Sequence, residues 1–125
     1  MIVKSYKELI VWQKSMRLAL EVYRLAKILP KFETYALADQ MRRAALSIPS
    51  NIAEGQGRDS TKEFIRFLSI ARGSCFELET QLNFCILSKY FDEEVVEVAL
   101  NLLDEIGKML TSLIKKLRSQ LSTIH

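Results

Sequence analysis

The stretch RRAALSIPSNIAEGQGR, residues 42–58, decides how the chain is read. It opens with helix-favouring residues, meets a proline at position 49 and closes on Gly-x-Gly-Arg. A proline inside a helix removes a backbone donor, frees the carbonyl four residues earlier and crowds that turn. Either the helix ends near Ser47 and restarts, or it runs on with a bend. Spacing favours the second outcome. Leu37, Met41, Ala44, Ile48 and Ile52 recur at steps of three and four, and this helical period passes straight through Pro49. The reading is one continuous helix over about 35–54, kinked at Pro49. Ser47, Ser50 and Asn51 are the polar side chains able to satisfy freed backbone. Asn51 is read as structural, bonding backbone near the kink or the facing helix. Gly55 is read as the left-handed residue that ends the helix, Gly57 as the turn after it, and Ser60 as the cap of the next helix.

Three further segments carry the same period. A first helix is expected over about 6–29, with Ser5 and Glu8 at the spacing of a capping box and Pro30 as its stop. Leu9, Trp12, Met16, Ala19, Tyr23 and Ala26 form one apolar stripe, and Val11, Leu18, Val22, Leu25 and Leu29 a second beside it. Lys14, Arg17, Glu21 and Arg24 take the other side. The third helix is expected over 61–89, capped by Ser60 with Glu63, on a heptad-spaced stripe of Phe64, Leu68, Ala71, Cys75, Leu78, Leu82 and Cys85. The fourth is expected over 93–121 after Asp92, on Val96, Ala99, Leu103, Ile106, Leu110, Leu113 and Leu117, with fraying over 119–125. Its acidic first turn and basic last turns suit the helix dipole. Short connections make consecutive helices antiparallel neighbours. The expectation is an all-α, up-down-up-down antiparallel four-helix bundle, a single domain over residues 1–125.

Composition narrows the function classes. The net charge is +3, but residues 1–50 hold nine basic and four acidic groups while residues 91–125 hold four and six. One side of the fold is therefore expected to be positive. The single histidine is His125, which argues against a histidine-based triad or a typical zinc site. No HExxH, CxxC, GxSxG or Glu-x-x-His occurs, and GQGR lacks the Lys-Ser/Thr ending of a phosphate-binding loop. No catalytic residue, cofactor or metal is expected. Cys75 and Cys85 stand ten residues apart in one helix, about 15 Å, too far for a disulfide between them. They read as small buried hydrophobes of a cytoplasmic protein. The amino terminus lacks the apolar core of a signal peptide, and no apolar run reaches membrane-spanning length.

One feature exceeds what a lone bundle needs: the first, third and fourth helices carry apolar residues outside the main stripe. The third helix carries Ile65, Phe67, Ile70, Phe76, Phe84 and Ile86 outside its main stripe. Either the core is wide with scattered exposed apolar residues, or a second face is buried in a homo-oligomer. Arg42, Arg43, Arg58, Lys62, Arg66 and Arg72 are the candidate nucleic-acid contacts. Against this stands a solvated face paired with Asp39, Glu54, Asp59 and Glu63. Aromatic residues for base stacking are not interleaved with the patch, so any binding is expected to be electrostatic.

The stretches LIVWQKSMRLALEVY, QMRRAALSIPSNIAEGQGR and KEFIRFLSIARGSCFELETQL together resemble the four-helix-bundle proteins encoded in intervening sequences of bacterial 23S rRNA genes and their stand-alone homologues. The matching stretches cover most of residues 9–90. The resemblance implies a left-handed bundle assembled as a ring-shaped homopentamer, with no enzymatic activity or cofactor. A distant branch of that family serves diversity-generating retroelements, where a basic pentamer binds nucleic acid and a reverse transcriptase. Arg42, Arg43, Asn51, Glu54, Gly55, Arg58, Arg72, Gly73 and Glu77 match the family pattern. Whether they, with Pro49, hold the bundle together or face a polyanion stays open. The partners implied are other copies of the chain, RNA or DNA, or a protein; no membrane partner is expected.

Overall fold

The structure, a computed structural model, describes residues 5–124. Among them lie four α-helices: α1 (Ile10–Lys27), α2 (Leu37–Gln56), α3 (Thr61–Leu87) and α4 (Glu97–Ile124). Short 3-10 turns occupy Tyr6–Glu8, Lys31–Glu33 and Glu93–Val96, and no described residue is in a strand. Each helix packs against the next, and α4 returns to α1 to close a four-helix bundle. Ser47 meets Ser74 while Met41 meets Cys85, so α2 and α3 run antiparallel. Lys14 meets Glu105, while Leu20 and Arg24 share a groove with Val98 and Leu102, so α1 and α4 do too.

The core is built from the expected periodicities. Leu18, Val22 and Leu25 of α1, Met41, Ile48 and Ile52 of α2, Leu68, Leu78 and Leu82 of α3, and Ile106, Leu110 and Ile114 of α4 are fully buried. Each such side chain contributes about 1.5–3 kcal/mol relative to an exposed one. On α1 the second of the two stripes is the inward one, joined by Ala19, Ala26 and Ser15. Met16, from the first stripe, is exposed, and Trp12 and Tyr23 are half-buried. Ser15 is tolerated inside because its hydroxyl donates to the Trp12 carbonyl at 2.8 Å.

The helix ends differ from the sequence reading. Ser5 does not cap α1: its hydroxyl accepts from the Lys7 N–H inside the first 3-10 turn, and Leu9 is extended before α1 begins. At this break the Tyr6 ring packs edge-on to Trp12, with centroids 5.2 Å apart, and the Gln13 amide donates to the Lys7 carbonyl. Lys31–Glu33 forms a 3-10 turn after Pro30, so α2 starts at Leu37. α4 likewise starts at Glu97, after a turn over Glu93–Val96, and extends to Ile124. His125, the last residue of the segment expected to fray, lies outside the described residues. α3 ends at Leu87, two residues early. Lys89 takes a left-handed φ of 65°, its N–H donates to the Ile86 carbonyl, and the Tyr90 N–H donates to the Cys85 carbonyl. This is the Schellman closure usually assigned to glycine, here carried by a lysine.

α2 passes through Pro49 without a break, as its spacing predicts, and the proline is buried. Gly55 corrects the reading. It is helical rather than left-handed; α2 runs to Gln56, and Gly57 has a φ of −78°. Gly55 is needed for space. A Cβ there would stand 2.7 Å from the Phe67 Cβ and 3.0 Å from Phe64 Cδ1. The missing side chain therefore lets α3 approach the α2 backbone.

Two stability tests follow from these ends. Gly55→Ala is expected to cost about 1–3 kcal/mol in urea unfolding, because a Cβ fixed to the backbone cannot retreat without moving a helix. Gly57→Ala, whose Cβ meets ordinary contacts at 3.5 and 3.6 Å, is expected to stay within about 0.5 kcal/mol of the parent. Lys89→Gly is expected to gain about 1 kcal/mol by relieving the left-handed strain. A loss of stability there would show that the lysine side chain holds the closure.

Candidate nucleic-acid interface

The connection between α2 and α3 gathers the densest set of candidate residues. Ser60 caps α3, accepting the Glu63 N–H at 3.1 Å. That fixes Glu63 one turn before Arg66, whose guanidinium donates to both carboxylate oxygens at 3.1 and 3.3 Å. The Arg66 hydrogen bond holds the Glu63 carboxyl below its usual range, and the charges of Arg66, Arg58 and Lys62 act in the same direction. The Arg66 guanidinium is raised in turn by the same bond. Arg58 pairs with Glu54 at 3.4 Å. Both guanidinium groups also lie over the Phe67 ring, Arg66 at 4.5 Å and Arg58 at 5.0 Å from its centroid. Two guanidinium groups thus share one ring, each with its own carboxylate partner.

The other candidates stand elsewhere. Arg42 and Arg43 are roughly 20 Å from the carboxyl end of α2, from the rise of the intervening helix. Arg42 is largely covered, paired with Asp39 at 3.5 Å and lying 5.7 Å from the Tyr23 ring centroid. Arg43 is exposed. Arg72 turns towards α4 and lines a groove of about 540 Å³ with Cys75, Phe76, Leu103 and Gly107. The six candidates therefore form one cluster of three, a separate pair, Arg42 and Arg43, and a lone Arg72, rather than one patch. Asp39, Glu54 and Glu63 are ion-paired as the competing reading expects. Among the described residues no ion pair joins Asp59, Arg43, Lys62 or Arg72. Phe67 is the residue the sequence reading missed: its neighbours in sequence place it on a helix, but not under Arg58.

Asn51 has a structural position. Its amide nitrogen donates to the Ser47 carbonyl at 2.8 Å and to the Ser47 hydroxyl at 3.0 Å. The Ser47 hydroxyl meets that of buried Ser74 on α3 at 2.8 Å. A polar chain thus crosses the α2–α3 seam from residues that flank Pro49, two positions to either side. Buried Gln81 was not anticipated either, and its Oε1 has no hydrogen-bond partner among the described residues. Burial pushes the Cys75 thiol up to about 12 and the Cys85 thiol to about 11, which suppresses the reactive thiolate of both. Among the described residues no group of three His, Cys, Asp or Glu side chains is placed to hold a metal ion.

The family model described as 23S rRNA-intervening sequence protein matches residues 7–112. A crystal structure from Bacteroides thetaiotaomicron VPI-5482, of a protein with unknown function from the S23 ribosomal protein family, is similar over most of this chain. Its TM-score is 0.79 at 33% identity, covering 85% of this chain and 99% of that one. No curated protein matches the chain significantly.

The seam gives a direct test of Asn51. Asn51→Ala is expected to lose about 1 kcal/mol of unfolding free energy. Asn51→Asp should lose at least as much, since a carboxylate cannot donate to the Ser47 carbonyl. Two variants as stable as the parent in urea would remove the structural role.

Proposed function

The chain belongs to the 23S rRNA-intervening sequence protein family, and we propose that it acts without catalysis, as a homo-oligomeric bundle whose repeated basic clusters hold RNA or another nucleic acid. The observation that carries this reading is that the Arg58 and Arg66 guanidinium groups share the Phe67 ring, each paired with an exposed carboxylate, one turn or less from Lys62. The Arg–Glu pairs there are solvent-exposed, and such pairs contribute at most about 1 kcal/mol. A phosphate can therefore replace a carboxylate at either guanidinium fork. Glu54, Asp59 and Glu63 balance the three cations within one copy. Useful affinity must come from repetition, which an oligomer supplies.

Support for assembly comes from the outer side of α3. Ile70, Phe76, Phe84 and Leu87 are exposed there, Phe76 at 63%, on the side of the helix opposite the core. Gly73 lies among them, and a Cβ at that position would meet nothing within 4 Å. A mid-helix glycine costs about 1 kcal/mol relative to alanine, and the bundle's own packing does not require it. A second copy approaching this face would use both the rings and the gap. The family resemblance sets the expected number at five, in a ring. Buried, unpaired cysteines suit a reducing cytoplasm, and no described helix is long and apolar enough to cross a membrane.

A specific observation favours a second reading. Arg42, Arg58 and Arg66 each have both an acidic partner and an aromatic ring, as arginines that hold structure do. In that case the bundle is a scaffold or accessory subunit, for example of a reverse transcriptase, and its partner is a protein.

Light scattering is expected to show an oligomer, and Phe76→Glu to reduce it to monomers; a monomeric parent would defeat the assembly. In gel shifts the parent should bind RNA with strong salt dependence, and the Arg58→Ala/Lys62→Ala/Arg66→Ala triple variant should lose binding at least tenfold. Equal binding by the triple variant would overturn the role of the cluster. A partner that survives nuclease treatment, with no binding of RNA by the parent, would establish the scaffold instead.

A further inference from the structure

The opposite end of the bundle carries a feature that the arginine cluster does not explain. The α1–α2 and α3–α4 connections lie side by side there, joined by the Tyr90 hydroxyl, which donates to Glu33 at 2.8 Å. Both carry the same short pattern. Ile28-Leu29-Pro30-Lys31-Phe32 in one is matched by Ile86-Leu87-Ser88-Lys89-Tyr90 in the other. Each connection thus presents a lysine directly before an aromatic ring.

The fold turns these rings into a row. The Phe32 and Tyr90 centroids are 6.2 Å apart, and those of Tyr90 and Phe84 are 6.3 Å apart, both edge-on. Most of this surface is in water: Phe32 is 76% exposed, Leu87 81% and Tyr35, in the same connection as Phe32, 91%. Such exposure gives the bundle almost no burial energy, so the folded chain does not account for these residues. Lys27, Lys31 and Lys89 are exposed beside them in sequence. The acidic groups of the two connections are Glu33, engaged by Tyr90, and Asp92, Glu93 and Glu94, which follow the buried Phe91.

We propose that this end is a single-stranded nucleic-acid platform, on which bases stack on Phe32, Tyr35 and the neighbouring rings while Lys27, Lys31 and Lys89 hold the phosphates. Aromatic faces with interleaved cations are the chemistry of sequence-tolerant single-strand binding. Lysine is depleted from protein–protein interface cores, yet here one lysine precedes Phe32 and another precedes Tyr90, which favours a polyanion over a protein as the occupant. The assignment rests on the reading that the protein binds nucleic acid, and adds the class that it selects. A duplex hides its base faces, so this end discriminates single strands, whereas the arginine cluster contacts phosphates of either form.

Fluorescence anisotropy with a labelled oligo-uridine and a hairpin duplex of matched length separates the two claims. The parent should bind the single strand more tightly. Phe32→Ala/Tyr35→Ala should weaken single-strand binding about tenfold or more and leave the duplex unaffected, since stacking contributes about 1–3 kcal/mol per base. Both rings are largely solvated, so the variant is expected to fold, and circular dichroism checks this. Lys31→Ala should lower the salt slope by about one. Unchanged single-strand binding in the double variant would overturn the platform and leave the arginine reading standing, as would a parent that binds only duplex. A change of oligomeric mass in the double variant would show a protein contact and overturn it as well. A parent that binds neither probe would end both.

Discussion

The arrangement depends on how closely α2 and α3 approach. At Gly55 the α2 backbone has no side chain between it and Phe64 and Phe67. Two turns earlier, Asn51, Ser47 and Ser74 cross the seam as a hydrogen-bonded chain. The first contact is steric and sets the distance; the second is directional and sets the register. A slip along the seam would bury the Ser74 hydroxyl without its partner, at a cost of about 1–3 kcal/mol. The same register puts Phe67 within reach of Arg58 from the connection and Arg66 from its own helix. The candidate site is thus a consequence of the seam.

The arginine cluster shows two demands on the same groups. Guanidinium groups over one ring, each paired with its own carboxylate, are held in fixed directions, which reduces the entropy lost when they bind a second anion. The same carboxylates cancel the charge that would draw that anion in. At Glu63 the Arg66 hydrogen bond lowers the carboxyl pKa, so the carboxylate stays charged beside the guanidinium. A weak, pre-aligned cluster of this kind is useful when many copies act together and of little use alone.

Much of the fold was legible because it rests on period. The α2 pattern carried through Pro49, and the stripes of α2, α3 and α4 supply most of the core. What failed were assignments resting on one residue type. Gly55 has the chemistry of a helix end, but its helical dihedrals and its contact with Phe67 depend on a neighbouring helix that the local sequence cannot reveal. Lys89 makes the opposite error: it lacks the glycine that marks a left-handed closure, so the end of α3 was placed two residues late. Ser5 and Glu8 had the right spacing for a cap, yet the packing of Tyr6 on Trp12 shifted the start of α1 to Ile10. The ion pairs to Asp39, Glu54 and Glu63 were legible, since each is a helical neighbour three or four residues away. The dispersal of the arginines was not, because it depends on which side of each helix faces its neighbour.

The ends and the sides of the bundle have different chemistry. The apolar face of α3 runs along its length, whereas the arginine cluster lies at one end and the lysine–aromatic row at the other. Copies mating along α3 bury a side and leave both ends in solvent. A cyclic assembly would then align every arginine cluster on one rim and every aromatic row on the other, because a rotation axis keeps equivalent ends together. Phe84 belongs to both the α3 face and the aromatic row, so the proposed assembly and the proposed ligand would compete for the same ring. The rest of the row, Phe32 and Tyr90, belongs to the connections rather than to the α3 face, so a rim formed by assembly keeps at least two of its three rings available.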